Sequence, residues 1–195
     1  MSTEPEARWR APYPYGYAAA MQSMGTVAAP LLAGVSAALV ALVIQNARVI
    51  EWPNVALLAL VAATFGFLGT VQCTFRARQF AVTPSEMEVW HPNPDKPATR
   101  EMLRREQRYY YSEHERWTDW ASYAYDFGLL FFLLGLVAIT APAGGLASAS
   151  NGRLAVLALG AFAVAAEFVW IARKSTHRPA GPRYWPPPPG PEWEG

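Results

Sequence analysis

Four runs of apolar residues constrain this chain more than any other feature. Each is close to the roughly 20 residues that a helix needs to cross about 30 Å of hydrocarbon. They cover 26–44, 55–74, 121–141 and 154–172, and they account for a chain that is 52% hydrophobic but only 16% charged. The predicted fold is an all-α integral membrane protein, a four-transmembrane-helix antiparallel bundle.

The third run does not begin in lipid. It continues a charged segment, TREMLRREQRYYYSEHERWTDW, that contains no helix breaker, so one helix is expected over 98–141. Alternating steps of four and three pick out Leu103, Gln107, Tyr110, His114, Trp117, Ala121, Ala124, Gly128, Phe131, Gly135 and Ala138 as a single seam. The seam is aromatic in its first half and built of small residues in its second. A helical stalk extending the third span follows.

Basic residues set the expected orientation. All except Arg48 and Arg153 fall in the N-terminal segment, between the second and third spans, or after the fourth. By the positive-inside rule both termini and the stalk face the cytoplasm. Glu4 and Glu6 ahead of the first run, and Gln45-Asn46-Ala47 after it, argue against a cleaved signal peptide. A composition leaning to alanine, proline and arginine points to a bacterial inner membrane.

Residues 1–25 are read as an irregular or interfacial tail, and the two outer loops are short. Small residues recur at four-residue spacing in the first span (Ala29, Ala33, Ala37, Ala41) and line a face of the second (Ala62, Gly66, Thr70), so helices should approach closely. Between the second and third spans, Phe80, Val82, Met87 and Val89 alternate with polar residues, which predicts a small cytoplasmic β-hairpin turning at Thr83-Pro84-Ser85. The competing reading is a two-turn helix, because Thr83-Pro84-Ser85-Glu86 is also a capping box. Of the two, the hairpin is favoured because Pro92 follows so soon. Pro92, Pro94 and Pro97 then stiffen the connection to the stalk, and the tail 173–195 ends in RYWPPPPGPEWEG, which favours an extended polyproline helix.

Site chemistry is sparse. His91, His114 and His177 all lie outside the apolar runs, so no pair of intramembrane axial ligands for haem exists. Glu113, His114 and Glu115 are sequence neighbours whose side chains diverge by about 100° on a helix, which speaks against a metal site. Cys73 is the single cysteine and is read as a packing residue. No phosphate-loop, nucleophile-elbow, zinc-protease or dinucleotide motif occurs. No catalytic residue, cofactor or metal is expected. A net charge of +1 gives no basis for nucleic-acid binding.

Two ionisable residues fall inside the apolar runs, Asp126 and Glu167. Partner-binding candidates are Leu103, Tyr110, His114 and Trp117, because Tyr109 to Tyr111 and the seam carry more aromatic area than an isolated helix should expose. The expected function is a non-enzymatic accessory or scaffold protein, embedded in the bilayer, whose segment 98–120 mediates self-association or docks a membrane or cytoplasmic protein. The alternative is a homo-oligomeric channel or small-solute transporter, in which Thr64, Thr70, Gln72, Asp126 and Glu167 would face water.

Overall fold

The computed structural model describes residues 16–91, 96–142 and 150–176, and every regular element among them is helical. The N-terminal segment 1–15, part of the proline-rich connection (92–95), most of the loop after the third span (143–149) and the tail 177–195 lie outside the described residues. Four helices are long and apolar enough to cross a membrane.

The first is composite: α1 (Tyr17–Ser23), a π-helical turn (Met24–Ala28) and α2 (Ala29–Gln45). It begins at Tyr17, so the expected irregular tail is already helical over its last residues. Pro30 explains the widened turn. It has no N–H to donate, and in an ideal α-helix its ring would press on the carbonyl of Thr26, which a turn of larger radius avoids. The turn brings Gly25 against α3 (Pro53–Gln79), where a β-carbon on Gly25 would overlap the side chain of Thr74.

Centrally, α3 lies against α5 (Pro97–Thr140), a single helix of 44 residues about 66 Å long at the usual rise. Glycines make this close approach possible. Phe67 rests on Gly128 and Leu60 on Gly135, one heptad apart on both helices, as antiparallel knobs in holes. Rings of Tyr125 and Phe132 meet the edge of Phe67 at 5.8 and 6.4 Å. On the far side of α3, α2 adds Ala29, Ala33 and Val43 to the buried clusters. The fourth helix, α6 (Asn151–Thr176), is attached through α5, with Gly160 against Val137, and none of its described residues is fully buried. The array is therefore more open than the expected bundle, with α6 at its edge.

No strand occurs among the described residues, and the expected β-hairpin is not formed. Residues Pro84–Trp90 make a short helix, α4. The capping box decides this: Glu86 N–H donates to Thr83 Oγ1 at 3.4 Å, and the Glu86 carboxylate accepts from Thr83 N–H at 2.8 Å. Those reciprocal bonds satisfy two donors that a helix start would otherwise leave open, and Pro84 has the right φ in advance. A two-stranded ribbon would have had no third strand to lean on. As a helix, the segment turns Met87 inward and packs on α5.

Candidate functional site

The stalk half of α5 carries the predicted seam, and the seam is covered from within the chain. Leu103 is 0% exposed, and Gln107, Ala121, Gly128, Gly135 and Ala138 are buried with it. Tyr110 is half-buried with its ring 6.3 Å from Phe80, just past the end of α3. His114 Nδ1 lies 3.0 Å from the carbonyl oxygen of Ala77; a carbonyl only accepts, so the ring nitrogen carries the proton and donates. This bond serves one of the last carbonyls of α3, which helix geometry leaves without i+4 partners. Trp117 packs beside Arg76, whose guanidinium is 5.9 Å from the indole and 5.8 Å from the Phe80 ring. Tyr110, His114 and Trp117 thus meet the end of the chain's own α3 and the residue just past it, and Leu103 is buried.

What the stalk leaves open is the other side of α4. Val89 is 79% and Trp90 83% exposed. Between α4 and α5 lies a cleft of about 400 Å³, lined in part by Gln79, Met87, Trp90, His91, Glu106 and Tyr110. Its lining includes the aromatic residues Trp90 and Tyr110 and the carboxylates of Glu86 and Glu106. Glu106 stands 3.5 Å from His91 Nε2, and Glu86, also on the lining, is held by the cap. Hydrogen bonds from the Thr83 hydroxyl and then from its backbone N–H keep the Glu86 carboxyl below the usual range. Sequence reasoning missed this cleft because it placed 80–90 in a hairpin; the capping box was the signal that could have found it.

A second polar group lies where α5 meets α6. Lys174 Nζ donates to Asp126 Oδ2 at 2.5 Å and to the hydroxyl of Ser122, one turn away on α5, and it sits 5.5 Å from the Tyr123 ring. The two side chains are largely enclosed, 11% exposed for Asp126 and 27% for Lys174. Glu167 precedes Lys174 by one heptad, hence lies on the same face of α6, with Asp126 and Lys174 as charged neighbours. Its Oε1 is buried without a hydrogen-bond partner among the described residues. The structure thus brings the two predicted intramembrane residues to one interface, and it adds Lys174, which follows the fourth apolar run.

Searches against protein-family models, curated proteins and solved structures returned no match.

The remaining candidates do not gather into a site. Thr64 and Thr70 return their hydroxyl protons to Leu60 and Gly66 of their own helix at 2.9 and 3.0 Å, while Gln72 is exposed. Among the described residues no three His, Cys, Asp or Glu side chains converge as metal ligands. The geometry offers a cleft lined by acidic and aromatic side chains between α4 and α5, and one polar contact between two apolar helices.

Proposed function

We propose that the chain is a non-enzymatic accessory protein of a bacterial inner membrane whose stalk, on the cytoplasmic side, docks a protein partner. The placement of basic residues supports the orientation. The observation that carries the docking reading is the exposure of Val89 and Trp90, at 79% and 83%, on a helix fixed beside an open cleft. These residues sit near the stalk's far end. Trp117 and Trp120, just ahead of the third apolar run, suit the membrane interface, and His91 pairs with Glu106, eleven residues or about 16 Å along α5 from Trp117. At that distance lipid is not what an exposed indole meets, and Trp is the residue type most enriched at interface hot spots. The α4 cap, the buried Met87 and the α3–α5 contacts hold the surface ready, which lowers the ordering cost of binding.

Mild-detergent purification from native membranes tests the reading. A partner should co-purify with the wild type and be lost with Trp90→Ala, while the variant remains folded and membrane-bound. Recovery of the same proteins with both chains would refute it.

A second reading, a channel or solute transporter, is favoured by the contact of Asp126, Lys174 and Glu167 between α5 and α6, since ionisable groups between apolar helices near the membrane interface can line the mouth of an ion or substrate path. Solute flux through proteoliposomes, abolished by Glu167→Ala, would establish it. Tight liposomes would remove it.

A further inference from the structure

Between Arg153 and Arg173 the chain holds a single ionisable side chain, Glu167. Two contacts set its level. Gly160 meets Val137, and fourteen residues on along α6 Lys174 meets Ser122 and Asp126, which bracket the position fourteen residues back along α5. Glu167 lies midway between Gly160 and Lys174 and is therefore level with Leu130, four residues or about 6 Å beyond Asp126 on the side away from the stalk. The apolar runs 121–141 and 154–172 flank it on both helices.

Charge at that level does not balance. Among the described residues, the titratable groups around Glu167 are Asp126 and Tyr125 of α5 and Lys174 of its own helix, with Tyr123 beside the ammonium. Lys174 donates to Asp126 and Ser122, so its charge is committed to the aspartate. With both carboxyls ionised, two negative charges share one positive one. A carboxylate held away from water is costly unless it is paired or hydrogen-bonded, and otherwise it takes up a proton. Glu167 Oε1 is buried and has no hydrogen-bond partner among the described residues, whereas Asp126 has been given a donor. A proton on Glu167 removes the surplus charge. Water is close by: the Lys174 side chain, 27% exposed, forms the stalk-side end of the contact.

We infer that Glu167 is a proton-binding site, its carboxyl taking up and releasing one proton, with Asp126 and Lys174 as the route to water on the stalk's side. The site stands apart from the docking reading and requires no solute to cross.

The test labels the full-length protein in native membranes with dicyclohexylcarbodiimide, which dissolves in lipid and adds to protonated carboxyls. The carboxyl proton passes to a carbodiimide nitrogen, the carboxylate oxygen bonds to the central carbon, and an acyl shift to nitrogen leaves a stable N-acylurea with no leaving group. Exposed neighbours such as Phe168 place this part of α6 within the reagent's reach. Trypsin, cutting at Arg153 and Arg173, releases 154–173, in which Glu167 carries the only side-chain carboxyl, so the mass of one added carbodiimide assigns the site. The adduct should form in mildly acidic buffer, fall in yield as the buffer is made alkaline, and be lost with Glu167→Gln. No adduct on 154–173 at any pH would overturn the site. A yield indifferent to pH would do the same, because it marks a carboxyl that never releases its proton. Protection by sodium chloride but not by choline chloride would reassign the site to a metal cation and overturn proton binding. Tight liposomes, which would remove the channel reading, leave these expectations unchanged, as does failure of Trp90→Ala to release a partner.

Discussion

Gly66 and Gly128 meet across the central helix pair so closely that a β-carbon on Gly66 would stand 2.7 Å from Gly128 Cα. Neither backbone can retreat without lifting Phe67 and Leu60 from their holes. Gly66→Ala should therefore destabilise the protein by about 1–3 kcal/mol, as overpacking does in tight cores. Gly34→Ala is the matched control. Nothing lies within 4 Å of that position, so relief of glycine's backbone entropy should leave stability unchanged or raise it by up to about 1 kcal/mol. Thermal unfolding in detergent, read by circular dichroism, separates the two.

The contact of Lys174 with Asp126 fastens a helix that is otherwise lightly held. Asp126→Asn removes the charge that balances Lys174 and should loosen α6 by about 1.5–3 kcal/mol, the range for hydrogen bonds to charged groups. Replacing both residues together, Asp126→Leu with Lys174→Met, leaves no orphaned charge and should cost less than the two single changes added. Amide exchange along 160–174 reports the outcome, and strict additivity would show that the pair is not coupled.

Acid should release α4. The Glu86 carboxyl is held below its ordinary pKa by Thr83, so the folded form binds fewer protons than the unfolded form between the two values. The stabilisation is complete above the ordinary glutamate pKa of about 4.3 and is lost as pH falls through the lowered one. Protection of the 84–90 amides should decline over that window in the wild type. Glu86→Gln should abolish the dependence. Thr83→Ala should weaken α4 at neutral pH as well, by about 1 kcal/mol, the usual cost of losing a helix cap.

Leu103 should be silent in crosslinking between chains. It is 0% exposed, so a cysteine there, in a Cys73→Ser background, should give no chain-to-chain adduct in membranes, and a thiol reagent should modify it slowly. Val89→Cys should react at once, and in inverted vesicles from the outside only, if the stalk is cytoplasmic. His114→Ala should cost about 1 kcal/mol through its bond to Ala77, without exposing Leu103.

The seam of α5 was legible because periodicity survives from the stalk into the span: Leu103, Ala121, Gly128 and Ala138 all fall on one line and all are buried. Periodicity marks a face and is silent about what covers it. From His114 through the span the occupant is α3, and only the pairing of Phe67 with Gly128 and of His114 with Ala77 identifies it. At 80–90 two signals conflicted. Alternation over a few residues cannot distinguish a ribbon from a short helix, and the hydrogen bonds of Thr83 and Glu86 are the stronger local determinant. Asp126 and Glu167 were legible as carboxyls within apolar runs, whereas the part of Lys174 beside them was not, because α6 continues past the apolar run and carries it to the level of Ser122.

A helix without a joint transmits force. Because α5 passes from Pro97 to Thr140 unbroken, its charged first half and its apolar second half turn as one body. With about 30 Å of rod from Trp117 to Pro97, a change of about 5° in the inclination of the span displaces the far tip by about 3 Å. Membrane thinning or thickening tilts spans, so such a lever would convert the state of the lipid into the position of α4.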